Sequence, residues 1–379
     1  MTNTFNLTLI FPKLKNVDLL KDMGVIPYLL EKNHNFNTTI ASYKNENTYT
    51  YLKKELQGQQ IDFISKIPLS TYWYVLKNYK KIDILMLIHI GSSTIYLALL
   101  YKFLNPQGYL YLKGDMSKFE YPNRGKSFIL TWWKRAYLYK KFTQKVDLLS
   151  YENSDTYPFL KDIPDRKMIH LPNGFWEELP KMLNIEYLPL EKKEKIIFFP
   201  AKHGSYAKNS ELLLEALEMT QLKEWTIVFA GEMTPEFISK KEALLKNNPH
   251  LQKSLLFLGN IVDKKEYYQW FNRSTFTLLT SRWEGFPLIS LEGLYFSNIL
   301  LLSHTIMSAK DLTKNNTIGF TFDGGNPTAL KELLLKIVNN KINITKEQQK
   351  SLHHFKTNYR WEDLVQQLSN KINKDIKER

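Results

Sequence analysis

The sequence predicts an α/β protein of two doubly wound domains, and three observations carry that expectation. Short, continuously apolar runs alternate with helical patterns along the chain. The rhythm breaks once, in a charged, proline-bearing stretch near the middle, and then restarts. The length, 379 residues, also exceeds a single domain of ordinary size.

The first series of strands is expected at "FNLTLIFP" (5–12), "IDILMLIHI" (82–90), "GYLYLKGDM" (108–116), "VDLLSYEN" (146–153) and "KMIHLPNG" (167–174). The second is expected at "KIIFFPAK" (195–202), "EWTIVFAGE" (224–232), "SLLFLGN" (254–260), "STFTLLTS" (274–281) and "NILLLSHT" (298–305). Apolar strands separated by helices belong to parallel sheets covered on both faces. Residues 84–101, "ILMLIHIGSSTIYLALLY", carry no Asp, Glu, Lys or Arg. Their "GSST" at 91–94 supplies a turn and a helix start, so they read as strand then helix rather than a membrane span. Between the two series, "FWEELPKMLNIEYLPLEKKEK" (175–195) reads as an inter-domain connection. The domains are therefore expected at 1–175 and 190–358. Ligands of such sheets sit at the carboxyl ends of the strands, and two facing domains predict a site in a central cleft.

Hydrophobic residues make up 43% and charged residues 24%, which supports packed cores and excludes a disordered profile. The absence of cysteine excludes disulfides, thiolate metal sites and cysteine nucleophiles, and fits a reducing cytosol. The opening "MTNTFNLTLIFP" has neither a basic n-region nor a small-residue cleavage site, so a cytoplasmic protein is expected. The net charge of +14 falls mostly in residues 1–185. It fits phosphorylated substrates, anionic lipid or solubility alone, and no nucleic-acid-binding module accompanies it. H-E-x-x-H, G-x-S-x-G, a Walker loop, G-x-G-x-x-G and Asp-x-Asp are all missing. That removes zincins, lipase-like hydrolases, P-loop enzymes and dinucleotide dehydrogenases.

The stretch "SRWEGFPLISLEGL" (281–294) carries the chemistry. It follows a predicted strand, and Pro287 is expected to open a helix, where its missing N–H costs nothing. Glu284 then stands in the loop at the strand's carboxyl end. The N–H groups of Leu288 and Ile289, with the helix dipole, make an anion site beside it. Gly285 lets the backbone approach a ligand. Glu292, a turn inside the helix, offers two acceptor oxygens suited to a vicinal diol such as ribose.

Two glutamates so placed, with "GFP" after the first, resemble the E-x7-E signature of retaining GT-B glycosyltransferases, above all glycosyltransferase family 4 (glycosyl transferases group 1). "FFPAKHGSYAKNSELLLEAL" (198–217) is similar to the segment in which two cations six apart hold the donor diphosphate, here Lys202 and Lys208. The family normally has arginine at the first; lysine keeps the charge and loses the bidentate fork. "LPNG" (171–174) resembles the end of the family's first domain, and "FLGNI" (257–261), with Asn260, the turn where the donor base packs. "YRWEDLVQQL" (359–368) resembles the terminal helix, here 359–379, that crosses back onto the first domain. The likeness is good over 195–335 and rests mostly on strand order before 175.

The amino-terminal half departs from the pattern. Where the family has a glycine pair after its first strand, this chain has "PKLKNVDLLKDMGVIPYLL" (12–30), with only Gly24. Lys21, Asp22 and Gly24 either replace that loop or form helix surface. His89 matches an acceptor-side histidine or is a core histidine, and Asp115 matches a second acceptor-side position.

The resemblance implies a GT-B fold and a metal-independent, retaining hexosyltransferase with a nucleotide-diphosphate sugar as co-substrate and no cofactor. Glu284, Lys202 and Lys208 would be catalytic. Gly285, Phe286, Leu288, Ile289, Glu292 and Asn260 would bind the donor, and His89 and Asp115 would face the acceptor. Closure of the two domains would exclude water. The rival reading is a catalytically weak GT-B subunit that activates a partner transferase, prompted by the lost glycine pair and Lys202. Finally, "RGKSFILTWWKRAYLYKKFTQK" (124–145) is basic, aromatic and free of acid. It either lies on an anionic bilayer or covers the sheet. The first case would make the protein peripheral at the inner face of the membrane. The acceptor would then be a lipid-linked saccharide, as in the assembly of capsule and other bacterial surface polysaccharides.

Overall fold

The computed structural model describes residues 4–114 and 132–379. They form two compact units, residues 1–176 with 361–379, and residues 177–360. Asp115 and residues 124–131 of the basic stretch 124–145 lie outside the described residues.

The first unit holds a parallel sheet of strands Phe5–Ile10 (β1), Phe36–Tyr43 (β2), Gln60–Ile64 (β3), Ile84–Ile88 (β4), Tyr109–Gly114 (β5), Leu148–Tyr151 (β6) and Met168–His170 (β7). Their order is β3-β2-β1-β4-β5-β6-β7. β1 pairs with β2 on one side, Leu9 opposite Ile40, and with β4 on the other, Leu7 opposite Ile84. The chain therefore winds one way as far as β3 and the other way from β4, which makes β1/β4 the switch point. Leu85, Leu110, Leu112, Tyr101 and Phe142 are buried in the core between the sheet and its helices. The uncharged stretch 84–101 is strand β4 followed by helix Ser92–Leu104. Among the described residues no helix is long and apolar enough to cross a membrane.

The second unit repeats the plan with Ile196–Pro200 (β8), Thr226–Ala230 (β9), Leu255–Gly259 (β10), Phe276–Leu279 (β11), Ile299–Ser303 (β12) and Phe320–Phe322 (β13), in the order β10-β9-β8-β11-β12-β13. Here β8/β11 is the switch point, with Ile197 opposite Phe276. Trp225, Phe229, Phe237 and Leu278 lie in its core.

Three strands escape the sequence reading. β2, FNTTIASY, carries Asn37, Thr38, Thr39 and Ser42 among its apolar residues; β3, QIDFI, is a largely exposed edge strand; and β13 has only three residues. The connecting stretch 175–195 is also better packed than its composition implies. Tyr187 hydrogen-bonds Ser297, and the Leu188 amide donates to Asn272 Oδ1 at 2.9 Å. Lys193 is half-buried and donates to the carbonyls of Asn272 and Ser274 and to Asn298 Oδ1 at 2.8–3.1 Å. Helix Trp361–Lys377 packs on helix Asp22–Asn33 within the first unit.

Candidate active site

The second unit's switch point gathers the residues singled out from the sequence. The segment 201–209 leaves the carboxyl end of β8, and 280–287 leaves that of β11. The two are tied together: Thr280 Oγ1 donates to the Lys208 carbonyl at 2.7 Å, and the Arg282 amide to the Ala207 carbonyl at 2.8 Å. Lys208 Nζ thereby stands 3.0 Å from Glu284 Oε1, and the Ser281 hydroxyl donates to the same oxygen. Asn209, after the lysine, adopts φ 51° and is buried, its amide donating to the Gly324 carbonyl at 2.9 Å. Among residues with a side chain, asparagine tolerates that left-handed backbone best, which accounts for the Lys-Asn pair.

A cavity of about 290 Å3 opens here, lined by Lys202, Lys208, Asn260, Tyr267 and Ile289, with Gly231 and Glu232. Gly231 takes φ +127°, and a Cβ there would lie 2.0 Å from the Ala201 carbonyl oxygen, so only glycine fits. Lys202 is exposed and pairs with Glu232 at 3.3 Å. Between them in the fold, His203 is fully buried among Phe199, Phe229 and Phe237, with Nδ1 3.0 Å from Ser210 Oγ. Burial pulls its pKa down to about 4. Its backbone joins the two loops, donating to the Glu232 carbonyl at 2.8 Å and accepting from the Thr234 amide at 3.0 Å.

Helix Leu288–Tyr295 starts beside this cavity, with Pro287 as its N-cap rather than its first residue. Glu292 is buried, and both its oxygens are engaged. Lys264 Nζ lies 3.0 Å from Oε1, and the Tyr267 hydroxyl donates to Oε2 at 2.9 Å. Burial first, and then the Glu292 charge, push the Tyr267 pKa far up, so the hydroxyl stays protonated and a donor. Lys264 also stands over the Tyr267 and Tyr268 rings at 4.4 Å. Neither Lys264 nor Tyr267 is legible as a site residue, because nothing in the sequence links them to a carboxylate more than twenty positions away. Glu284 and Gly285 are fixed through their carbonyls, which accept from the amides of Met307 and Ser308 at 3.0 and 3.2 Å. Phe286 is buried against Tyr359, ring centroids 5.8 Å apart, and so packs the loop into the core rather than lining the cavity.

In the first unit, His89 follows β4 with φ 62°, its amide donating to the Lys113 carbonyl at 3.0 Å. Asp22 is neither a loop ligand nor helix surface. It is buried, 3.0 Å from a fully buried Lys113, which also pairs with Glu152 and donates to Asn173 Oδ1 at 3.0 Å. Gly24 is required because a Cβ would fall 2.1 Å from the Leu19 carbonyl oxygen.

Residues 183–360 match the model of the family described as Glycosyl transferases group 1. None of the curated proteins compared with the chain matches it. Among solved structures, a glycosyltransferase from Rickettsia africae ESF-5 superposes with a TM-score of 0.73 at 16% identity, over 99% of each chain. The Anabaena protein Alr3699/HepE in complex with UDP gives 0.73 at 12% identity, over 98% of this chain and 100% of that one. The lipopolysaccharide outer core galactosyltransferase WaaB gives 0.69 at 15%, over 97% and 99%. At such identities the likeness is one of fold. The chain has the GT-B fold, two Rossmann-like domains on parallel sheets of seven and six strands. Its second domain carries the Glycosyl transferases group 1 sequence pattern.

Proposed function

We propose that the protein is a metal-independent, retaining glycosyltransferase that moves a hexose from a nucleotide-diphosphate sugar to a saccharide acceptor. The observation that carries this reading is the grouping, around one cavity at the β8/β11 switch point, of Lys202, Lys208 with Glu284, and the Tyr267–Glu292 pair. The family match and the Anabaena neighbour, solved with UDP and with UDP-glucose, support a nucleotide sugar as donor. The lipopolysaccharide galactosyltransferase neighbour supports a saccharide acceptor, and we take the acceptor to be lipid-linked.

In this reading Lys202 and Lys208 hold the diphosphate, whose charge grows as it leaves; fixed cations act most strongly at that stage. The acceptor oxygen bonds to the anomeric carbon on the face that the diphosphate leaves. The electron pair of the broken bond goes with the diphosphate, which takes the acceptor's proton. Glu284 holds the sugar hydroxyls and stabilises positive charge on the ring. The test is a thermal-shift screen of the purified chain against a panel of nucleotide sugars, followed by turnover of the hit. A nucleotide sugar should raise the melting temperature, and Glu284→Gln should keep that shift while losing transfer. No shift with any member of the panel would overturn the reading. A shift without turnover, restored only by a second protein, would favour the accessory-subunit reading.

A further inference from the structure

Among the described residues, the first unit leaves a set of apolar side chains exposed. The turn after edge strand β3 and the helix Ser70–Asn78 that follows it leave Ile67, Leu69 and Trp73 at 59%, 64% and 58% exposed. Leu69, Trp73 and Leu76 are four and three positions apart, so they form one stripe along that helix. The opposite face, with Val75, is buried against helix Ser92–Leu104. Single exposed apolar residues are ordinary, whereas a contiguous set on one face marks an interaction site.

The surrounding charge says what kind. Lys66, Lys77, Lys80 and Lys81 are all exposed around the stripe, and Lys77 and Lys80 continue it beyond Leu76. Asp62 is the single carboxylate in residues 60–81, and Tyr74 donates to it at 2.6 Å. A tryptophan and aliphatic side chains ringed by lysines suit the headgroup layer of an anionic bilayer, with the rings and methyls inside and the cations on phosphates. A second copy of this chain would bring the same lysines face to face.

We propose that the face formed by Ile67, Leu69, Trp73 and Leu76 with the lysines at 66, 77, 80 and 81 seats the protein on an anionic lipid surface. The surface is distinct from the basic stretch 124–145 and does not depend on the catalytic reading. The test is flotation of the full chain with phosphatidylcholine vesicles, with and without phosphatidylglycerol. Three variants are compared: Ile67→Ser/Leu69→Asn/Trp73→Ser; Lys66, Lys77, Lys80 and Lys81 changed to Gln; and Lys134, Arg135, Lys140 and Lys141 changed to Gln. Wild type should float with the anionic vesicles only. The lysine variant should lose about fivefold in partitioning per charge removed. The apolar variant should lose about tenfold or more, with its melting temperature unchanged because Ile67, Leu69 and Trp73 are exposed. Three outcomes would overturn the proposal: no binding by wild type; binding lost only in the 134–141 variant; or a dimer in solution that the apolar variant dissolves.

Discussion

Glu292 offers the sharpest quantitative test of the donor site. A carboxylate has about four acceptor positions on its two oxygens. Lys264 takes one on Oε1 and Tyr267 one on Oε2, at 3.0 and 2.9 Å. One position on each oxygen is left, which matches a vicinal diol. Glu292→Gln turns one acceptor into a donor and removes the charge. Hydrogen bonds to a charged group are worth about 1.5–3 kcal/mol, so the Kd for a nucleoside diphosphate should rise about 10- to 150-fold. Tyr267→Phe keeps the charge and frees Oε2, so the carboxylate turns toward Lys264. The loss should be smaller, about tenfold or less, and should appear in KM rather than kcat, because the diol is far from the reacting carbon. Calorimetry of both variants with the nucleotide identified by the screen decides the matter. Wild-type affinity in Glu292→Gln, with the melting temperature unchanged, would refute the diol assignment.

Other expectations follow from the same geometry. Lys208→Ala should lower kcat more than donor affinity, because its ammonium acts most on charge that grows toward the transition state; equal losses in single-turnover and binding measurements would count against it. Lys202→Arg should keep or raise turnover by supplying a two-pronged donor, and loss of most activity would remove Lys202 from the diphosphate grip. The unfolded chain protonates His203 near 6.5 and the folded one only near about 4, so the unfolded state binds more protons between those values. Stability should therefore fall by up to about 3 kcal/mol as pH drops through that window. In urea unfolding, His203→Phe should flatten this slope; an unchanged slope would acquit His203. Lys113→Met leaves Asp22 and Glu152 buried without their cation and should destabilise the first unit by about 3–5 kcal/mol, and a melt within a degree or two of wild type would contradict that.

The parts of the fold legible in the sequence are those where burial on both faces makes a strand continuously apolar, as in β4, β8 and β12. β2 escapes a reading by apolar runs because polar residues interrupt it, and buried Thr38 is satisfied only by the fold: its Oγ1 reaches the Pro27 carbonyl at 3.1 Å and bonds Glu31 at 2.7 Å. β3 was missed because an edge strand has one neighbour and little burial to impose a pattern. The helix Leu288–Tyr295 starts one residue later than expected, because Pro287 keeps an extended ψ of 120°.

The candidate site divides along the same line. Glu284, Lys202 and Lys208 were legible because loops at a switch point present side chains in short sequence spans, and six or eight positions are enough to register them. What could not be read is whatever holds those side chains in place. Lys264 and Tyr267 reach Glu292 from a different crossover, Gly231 meets Ala201 across neighbouring strands, and Asp22 finds Lys113 across the sheet. Each pairing is created by strand order, which no local spacing encodes. The eight-residue interval between the glutamates follows from the same topology. Glu284 must stay in the loop to reach Lys208, while Glu292 must lie deep enough in the helix for Tyr267 to meet it from the side. A proline between them ends the loop and begins the helix. Inserting one residue after Pro287 would turn Glu292 about 100° around the helix axis, away from Tyr267, while leaving the Lys208–Glu284 pair intact. The same rotation would carry buried Leu291 and Leu294 out of the core, so such a variant should bind nucleotide far more weakly and also lower the second unit's melting temperature; retained affinity would show that the interval itself is not what the site depends on.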